Sequence, residues 1–452
     1  MLFKRIESKG LAHYSYLIGD GEQAIAIDPR RDADVYTDLA FKAGMRIEHI
    51  LETHRNEDYL IGSPGLAART GAKIWHADSE LKYEYGESVQ DGQEWRIGGL
   101  EIKARHTPGH TPGSMSYILY NEDSVPWMVF TGDALFAGDV GRVDLLGEKK
   151  MPEMAAMLYD TLYEKLLPLG DHVIICPAHG SGSVCGSSIA DREWTTIGLE
   201  RQLNPQLQYS DKNEFIDKIS EMQERPPYFR QMEKLNIQGR TILDDLPIPK
   251  PLDVKAFAQQ AKKSQVLDTR SELAFASAHI PGALSIWTDG LASFAGWFLS
   301  YEKPILLTNS GPEAVQTVRT LIRLGYDNIA GSLGGGMLSW HTAGRESFSV
   351  KTLTIQDLCR QLDKGQEKWI LDVRKQQELD SQGKIPNAHH IHLTQLDQHL
   401  DEIPTDNTIT LFCGSGLRSM VAASYLQQKG RKNAQVVLGG LTGWNSSTCS
   451  IK

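Results

Sequence analysis

The C-terminal half of the chain repeats itself, and no other feature constrains the fold as tightly. Leu371-Asp372-Val373-Arg374 answers Leu267-Asp268-Thr269-Arg270 at a period of 104, the separation of Leu371 from Leu267. Gly439-Gly440-Leu441-Thr442-Gly443-Trp444 answers Gly335-Gly336-Met337-Leu338-Ser339-Trp340 at the same period, and Ile385-Pro386-Asn387-Ala388 answers Ile280-Pro281-Gly282-Ala283 with a one-residue slip. Landmarks in register across one period predict two copies of one domain, each roughly a hundred residues long. With 452 residues, and about 150 residues to a domain, that leaves one larger N-terminal unit. The junctions fall in the proline-spaced segment Leu246 to Leu252 and near Ser347 to Leu353, because proline stiffens a chain and discourages helix continuation. The expected division is therefore 1–245, 252–347 and 352–452.

The second copy carries a reactive loop. Cys413-Gly414-Ser415-Gly416-Leu417-Arg418-Ser419 follows the apolar strand-like run Thr408 to Phe412 and opens into a helix-like segment. Small residues between Cys413 and Arg418 let successive backbone N–H groups converge on one point, and the helix N-terminus behind them adds positive potential. A thiol held there is expected to be a thiolate and a nucleophile. The loop resembles the active-site loop of rhodanese sulfurtransferases. The resemblance implies that Cys413 carries a persulfide sulfur encircled by the amides of Gly414, Ser415, Gly416 and Leu417, with Arg418 closing the cradle. Rhodanese loops of this kind have four residues between Cys and Arg, as here, whereas related phosphatase loops insert a fifth. In the first copy Asn309 stands at the offset of Cys413 and Ala314 at that of Arg418, and Pro312 removes an amide donor. That copy resembles a rhodanese domain unable to hold a persulfide, expected to serve as a spacer or a docking surface.

The N-terminal unit shows a recurring pattern in which an apolar strand-like run ends and a metal-capable side chain follows. Ile47 to Leu51 leads to His54, Leu100 to Ala104 to His106 and His110, Trp127 to Phe130 to Asp133, and Val173 to Cys176 to His179. One such histidine is ordinarily a loop residue. Four strand ends together predict a metal site along a sheet edge.

The motifs Thr53-His54-Arg55-Asn56-Glu57-Asp58-Tyr59, Thr107-Pro108-Gly109-His110, Thr131-Gly132-Asp133 and Pro177-Ala178-His179-Gly180 resemble those of the metallo-β-lactamase fold, an αββα sandwich. Hydrolytic members carry His-x-His-x-Asp-His in the first motif and usually hold two zinc ions. Here Asn56 and Tyr59 replace two of those histidines, which counts against a two-zinc hydrolase. The remaining His54, His110 and Asp133 form the two-imidazole, one-carboxylate set of mononuclear non-haem Fe(II) enzymes. These positions are the iron ligands in the persulfide dioxygenase branch of the fold. On that resemblance Asp58 and His179 orient ligands from behind or are only structural. Arg142, in Gly138-Asp139-Val140-Gly141-Arg142-Val143-Asp144, is either a clamp for a substrate carboxylate or a structural salt-bridge arginine. Cys185, in the loop Gly180 to Gly186, either shuttles sulfur over the metal or is idle.

The whole chain resembles metallo-β-lactamase/rhodanese fusion proteins, and the resemblance implies persulfide oxidation in sulfide detoxification. A low-molecular-weight persulfide such as glutathione persulfide and dioxygen would give sulfite, and Cys413 would pass sulfane sulfur to sulfite to form thiosulfate. The alternatives are a glyoxalase II-like zinc thioester hydrolase fused to a sulfurtransferase, and a non-catalytic sulfane-sulfur carrier or sensor using Cys413. The net charge of −10 argues against nucleic acid and anionic membranes as partners. No run approaches the roughly 18 apolar residues of a membrane span, and the first twenty residues are rich in charge, so a cytoplasmic location is expected. Five scattered cysteines, Cys176, Cys185, Cys359, Cys413 and Cys449, make no disulfide framework. The degenerate copy is a candidate surface for a homo-oligomer.

Overall fold

A computed structural model describes residues 1–447 except 187, 240–241, 244–245, 310 and 367. It divides into two units, Met1–Leu246 with Ile322–Gly325, and Pro247–Leu321 with Tyr326–Lys452. Cys449 and the end points 245 and 452 lie outside the described residues.

In the first unit two six-stranded sheets face each other. One runs Leu2–Ser8, His13–Asp20, Gln23–Ile27, Arg46–Leu51, Lys73–His76 and Glu87–Ser88, antiparallel over the first three strands and parallel after them. The other runs Thr195–Thr196, Ile174–Pro177, Pro126–Gly132, Met115–Tyr120, Leu100–His106 and Glu94–Ile97. Side chains alternate across a strand, and the alternation sorts the core into layers. Ile18, Ile25 and Ile27 meet Ile102, Tyr117, Leu119 and Phe130 between the sheets. Their neighbours Leu17, Ala24 and Ala26 point the other way, onto Tyr36, Ala40 and Leu66 of two helices. On the opposite side Ile118, Val129 and Ile175 pack against Met154, Leu158 and Leu162. The result is the αββα sandwich expected from the motifs.

The helix Phe229–Gln238 also matters to the metal-side loop. Asn236, buried on that helix, donates to the carbonyls of Asn56 and Tyr59 at 2.7 and 2.9 Å and accepts from the N–H of Ile61 at 2.9 Å. Three hydrogen bonds from one side chain fix the loop that follows His54.

The second unit holds two five-stranded parallel sheets of identical strand order. In the first copy the order is Pro251–Leu252, Ile329–Leu333, Ile305–Leu307, Gln265–Asp268, Leu284–Ser285, and in the second Lys351–Leu353, Ala434–Val437, Ile409–Phe412, Trp369–Asp372, His389–His390. The repeated landmarks have repeated causes. Asp372 accepts both Nε and Nη2 of Arg374, at 3.0 and 2.7 Å, and Nη2 also donates to the Gly383 carbonyl at 2.9 Å. Asp268 and Arg270 do the same at 2.9 and 2.7 Å, with the Ala278 carbonyl at 2.9 Å. The Ile-Pro-Gly-Ala and Ile-Pro-Asn-Ala segments are both turns closed from Ala283 to Ile280 and from Ala388 to Ile385. Each needs a left-handed third residue, supplied by Gly282 and by Asn387, whose φ is 59°.

The helix Leu417–Gln428 behind the cysteine loop is buried over Ser419 to Leu426. It rests on the first copy: Ser424 Oγ accepts the N–H of Ser285 at 3.0 Å, and Gln428 donates to the Gly282 carbonyl at 2.9 Å. No helix among the described residues is long and apolar enough to cross a membrane. Cys176, Cys185 and Cys413 are free thiols, whereas Cys359 is disulfide-bonded.

Candidate metal centre and sulfur-transfer loop

The strand ends of the first unit place His54, His110 and Asp133 together. His54 lies three residues beyond Arg46–Leu51, Asp133 directly follows Pro126–Gly132, and His110 sits in the loop after Leu100–His106. All three are buried. Asp133 Oδ2 lies 3.6 Å from His54 Nε2 and 3.5 Å from His110 Nε2, and none of these three atoms has a hydrogen-bond partner. Buried polar atoms are normally paired, so lone pairs aimed at one point are what a bound cation would satisfy. The residues present therefore fit a divalent metal.

The far side of each imidazole is fixed. His110 Nδ1 lies 3.0 Å from the Arg142 carbonyl, which can only accept, so Nδ1 carries a proton and Nε2 is the nitrogen left to ligate. Thr53 Oγ1 gives its own proton to Asp28 Oδ2 at 2.7 Å, so at 2.8 Å from His54 Nδ1 it must accept. Both rings thus present Nε2 to the metal position. Burial raises the Asp28 carboxyl from its ordinary 3.8 to about 6, against the pull of His54 and of the Thr53 hydrogen bonds.

Behind the triad stands a second group. His179 Nδ1 bonds Asp133 Oδ1 at 2.7 Å, and its Nε2 lies 3.0 Å from Asp58 Oδ2. Cys185 Sγ falls within 4.8 Å of ligand atoms of Asp58 and His179, and also of those of His110 and Asp133. Burial drives the Cys185 thiol well above its usual range, and Asp58 and Asp133 push it further. Asn56 turns back toward the His54 carbonyl at 3.4 Å, and the Tyr59 ring stacks on His13 with centroids 3.8 Å apart. Arg142 is buried, its Nε and Nη2 each 2.7 Å from the Asp144 carboxylate and its other donors on the carbonyls of Val184 and Gln223. Of the two alternatives for Arg142, the salt bridge describes what its guanidinium touches, while its backbone carbonyl orients His110. His106 is held at the Pro112 carbonyl, 2.9 Å away, apart from the triad.

Sequence reasoning did not single out Glu57, Asp28, Thr53 or Asn236. Glu57 Oε2 is buried and unpartnered, 3.7 Å from His110 Nε2. A cleft opens onto Glu57 and His110, walled by Leu81, Pro112, Leu145 and Leu146 with Arg55 at its side.

In the second unit Cys413 lies buried at the end of Ile409–Phe412, and the Gly416 N–H donates to its Sγ at 3.1 Å. The carbonyls of Cys413, Gly414 and Ser415 accept from Leu441, Thr442 and Gly439 at 2.9, 3.0 and 2.9 Å, which turns the loop's amides inward. This close approach explains the glycine at 440: a Cβ there would meet the Cys413 carbonyl oxygen at 2.2 Å. At the matching Gly336 a Cβ would meet, among the described residues, only the Thr308 carbonyl at 4.0 Å. Arg418 does not point freely into the loop, since Glu378 takes it in two contacts of 2.5 and 2.7 Å.

Comparison with known proteins finds two families along the chain. Residues 9–179 match the metallo-beta-lactamase superfamily, and residues 253–343 and 354–447 each match the rhodanese-like domain. The chain is 32% identical over 216 residues to the mitochondrial persulfide dioxygenase ETHE1 of Bos taurus, covering 44% of this chain and 72% of that protein. It is 28% identical over 216 residues to the hydroxyacylglutathione hydrolase GloC of Haemophilus influenzae, covering 43% of this chain and 91% of that protein. Among solved structures, a metallo-beta-lactamase from Staphylococcus aureus aligns with a TM-score of 0.66 at 31% identity, covering 74% of this chain and 98% of that one.

Proposed function

Since the chain belongs to the metallo-beta-lactamase superfamily, with two rhodanese-like domains and an N-terminal region homologous to the persulfide dioxygenase ETHE1, we propose that it is a non-haem iron(II) persulfide dioxygenase coupled to a sulfurtransferase. The observation that carries this reading is the convergence of the unpartnered Nε2 atoms of His54 and His110 on the unpartnered Oδ2 of Asp133. Two imidazoles and one carboxylate are the donor set of iron enzymes that bring a substrate and dioxygen together at open positions. The overall balance is one persulfide, one dioxygen and one water giving one thiol, sulfite and two protons, with the terminal sulfur oxidised.

The chain's own residues hold this arrangement ready. Asp28 through Thr53, and the Arg142 carbonyl, keep the two rings in the ligating tautomer. The apolar wall of Leu81, Pro112, Leu145 and Leu146 excludes water from an approaching persulfide sulfur, and Arg55 is the cation at the cleft. In the other unit Cys413 takes sulfane sulfur from a second persulfide, releasing its thiol. It then hands that sulfur to sulfite, forming thiosulfate and leaving the cysteine thiolate. Amides such as that of Gly416, 3.1 Å from Sγ, stabilise the anionic sulfur. Two activities on one chain keep sulfite close to its acceptor. The pair would dispose of sulfide-derived persulfides.

Thioester hydrolysis, the activity named for the GloC relative, is the second reading. It is favoured by Asp58, His179 and Cys185, a further metal-capable group beside the first. Product analysis separates the readings. Fed glutathione persulfide in air, the protein is expected to form thiosulfate, and Cys413→Ser to accumulate sulfite. A hydrolase would instead cleave a glutathione thioester and leave the persulfide unoxidised.

A further inference from the structure

We propose that Glu57 is a fourth protein donor to the same metal ion, so that the centre is a two-histidine, two-carboxylate site. This inference deepens the proposed function and rests on its reading of His54, His110 and Asp133 as ligands.

Glu57 is buried, with 1% of its surface exposed. Its two oxygens have different fates. Oε1 accepts from Arg55 Nη2 at 3.0 Å, and that guanidinium is held in turn by Glu233 at 3.4 Å. Oε2 has no hydrogen-bond partner and faces His110 Nε2 at 3.7 Å. One ligand atom each from His54, Glu57 and His110 lie within 4.8 Å of one another. An unpaired buried carboxylate oxygen is costly. With Nδ1 of His110 engaged on the Arg142 carbonyl, Oε2 faces the ring's other nitrogen, which has no hydrogen-bond partner either. A cation between them removes both penalties.

The chemistry of the set is consistent with this placement. Carboxylates are hard oxygen donors, and two of them balance the charge of a divalent ion. The substitution that puts Asn56 in place of a ligating histidine thus comes with a carboxylate on the next residue, aimed at the metal that remains.

The test uses Co(II) as a spectroscopic probe of the full chain under anaerobic conditions. Affinity is read by chelator competition and geometry by the visible absorption of the bound ion. Glu57→Gln is expected to weaken Co(II) binding at least about tenfold, since loss even of a group behind a ligand costs ~10–100-fold, and to shift the absorption bands. Glu57→Asp retains the charge but withdraws the oxygen, and is expected to shift the bands with a smaller loss of affinity. It decides the matter where Glu57→Gln does not fold by circular dichroism. Affinity and bands unchanged in the folded variants would overturn the proposal and leave the three-residue site standing. Failure of the unsubstituted protein to bind Co(II) would remove the metal reading and this inference with it.

Discussion

His110 donates its Nδ1 proton to the main-chain carbonyl of Arg142 at 3.0 Å, while the guanidinium of the same arginine is bound to Asp144. One residue thus serves the candidate metal centre through its backbone and the fold through its side chain. Replacing Arg142 by Ala leaves the Asp144 carboxylate buried without its partner. Breaking a buried ion pair in this way costs ~3–5 kcal/mol, read as a lower urea midpoint of the N-terminal unit. A substrate clamp would instead raise KM selectively for persulfides that carry a carboxylate, which this account does not expect.

Thr53 relays Asp28 to His54. Thr53→Val keeps the shape and removes the hydroxyl, so His54 Nδ1 loses its acceptor and the tautomer is no longer imposed. Metal affinity is expected to fall roughly 10–100-fold with little change in melting temperature. An unaltered metal content after dialysis against chelator would count against the relay.

The glycine pairs of the two copies should respond differently to the same change. Gly440→Ala drives a Cβ into the Cys413 carbonyl, 2.2 Å away, and is expected to abolish persulfide loading, seen as loss of the added sulfur atom by mass spectrometry. Gly336→Ala meets, among the described residues, nothing nearer than the Thr308 carbonyl at 4.0 Å, and is expected to cost the strain of a left-handed alanine, about 1–3 kcal/mol. Equal effects of the two substitutions on loading would mean that the cysteine loop does not depend on this approach.

Glu378 gives the loop a pH dependence. Burial raises its carboxyl, but the hydrogen bonds from Arg418 and from the Lys375 N–H prevail and lower it from 4.5 to about 2. A carboxyl depressed on folding adds stability that is complete above its unfolded value near 4.5 and is lost as the pH falls toward 2. Glu378→Gln should therefore melt below the unsubstituted protein at neutral pH, with the difference closing between these limits. A difference independent of pH would show that the ion pair with Arg418 contributes nothing.

The fold was legible wherever local chemistry repeats. Asp372 and Arg374 announce their counterparts Asp268 and Arg270 because both pairs lock the same strand end in the same geometry. The αββα unit was readable through the resemblance of its strand-end motifs to those of the metallo-β-lactamase fold. What the sequence hid are single buried groups whose meaning lies in distant partners. Asn236 secures residues 56 to 61 from some 175 positions away, and Asp28 reaches Thr53 across 25. Glu378 meets Arg418 across 40. Glu57 lies inside the motif itself, but only folding turns its free oxygen toward His110. Arg142 stood between two alternatives because a sequence gives an arginine's position and not what its guanidinium binds.

The central claim is that His54, His110 and Asp133 support oxidation of a persulfide by dioxygen. Its most direct test is oxygen uptake by the anaerobically purified, Fe(II)-reconstituted protein on addition of glutathione persulfide, with His110→Ala as control. The account predicts rapid uptake that is lost in the variant, with sulfite or thiosulfate formed in step. No uptake above the control, from protein shown to contain its iron, would contradict it and leave Cys413 as a sulfur carrier without a dioxygenase beside it.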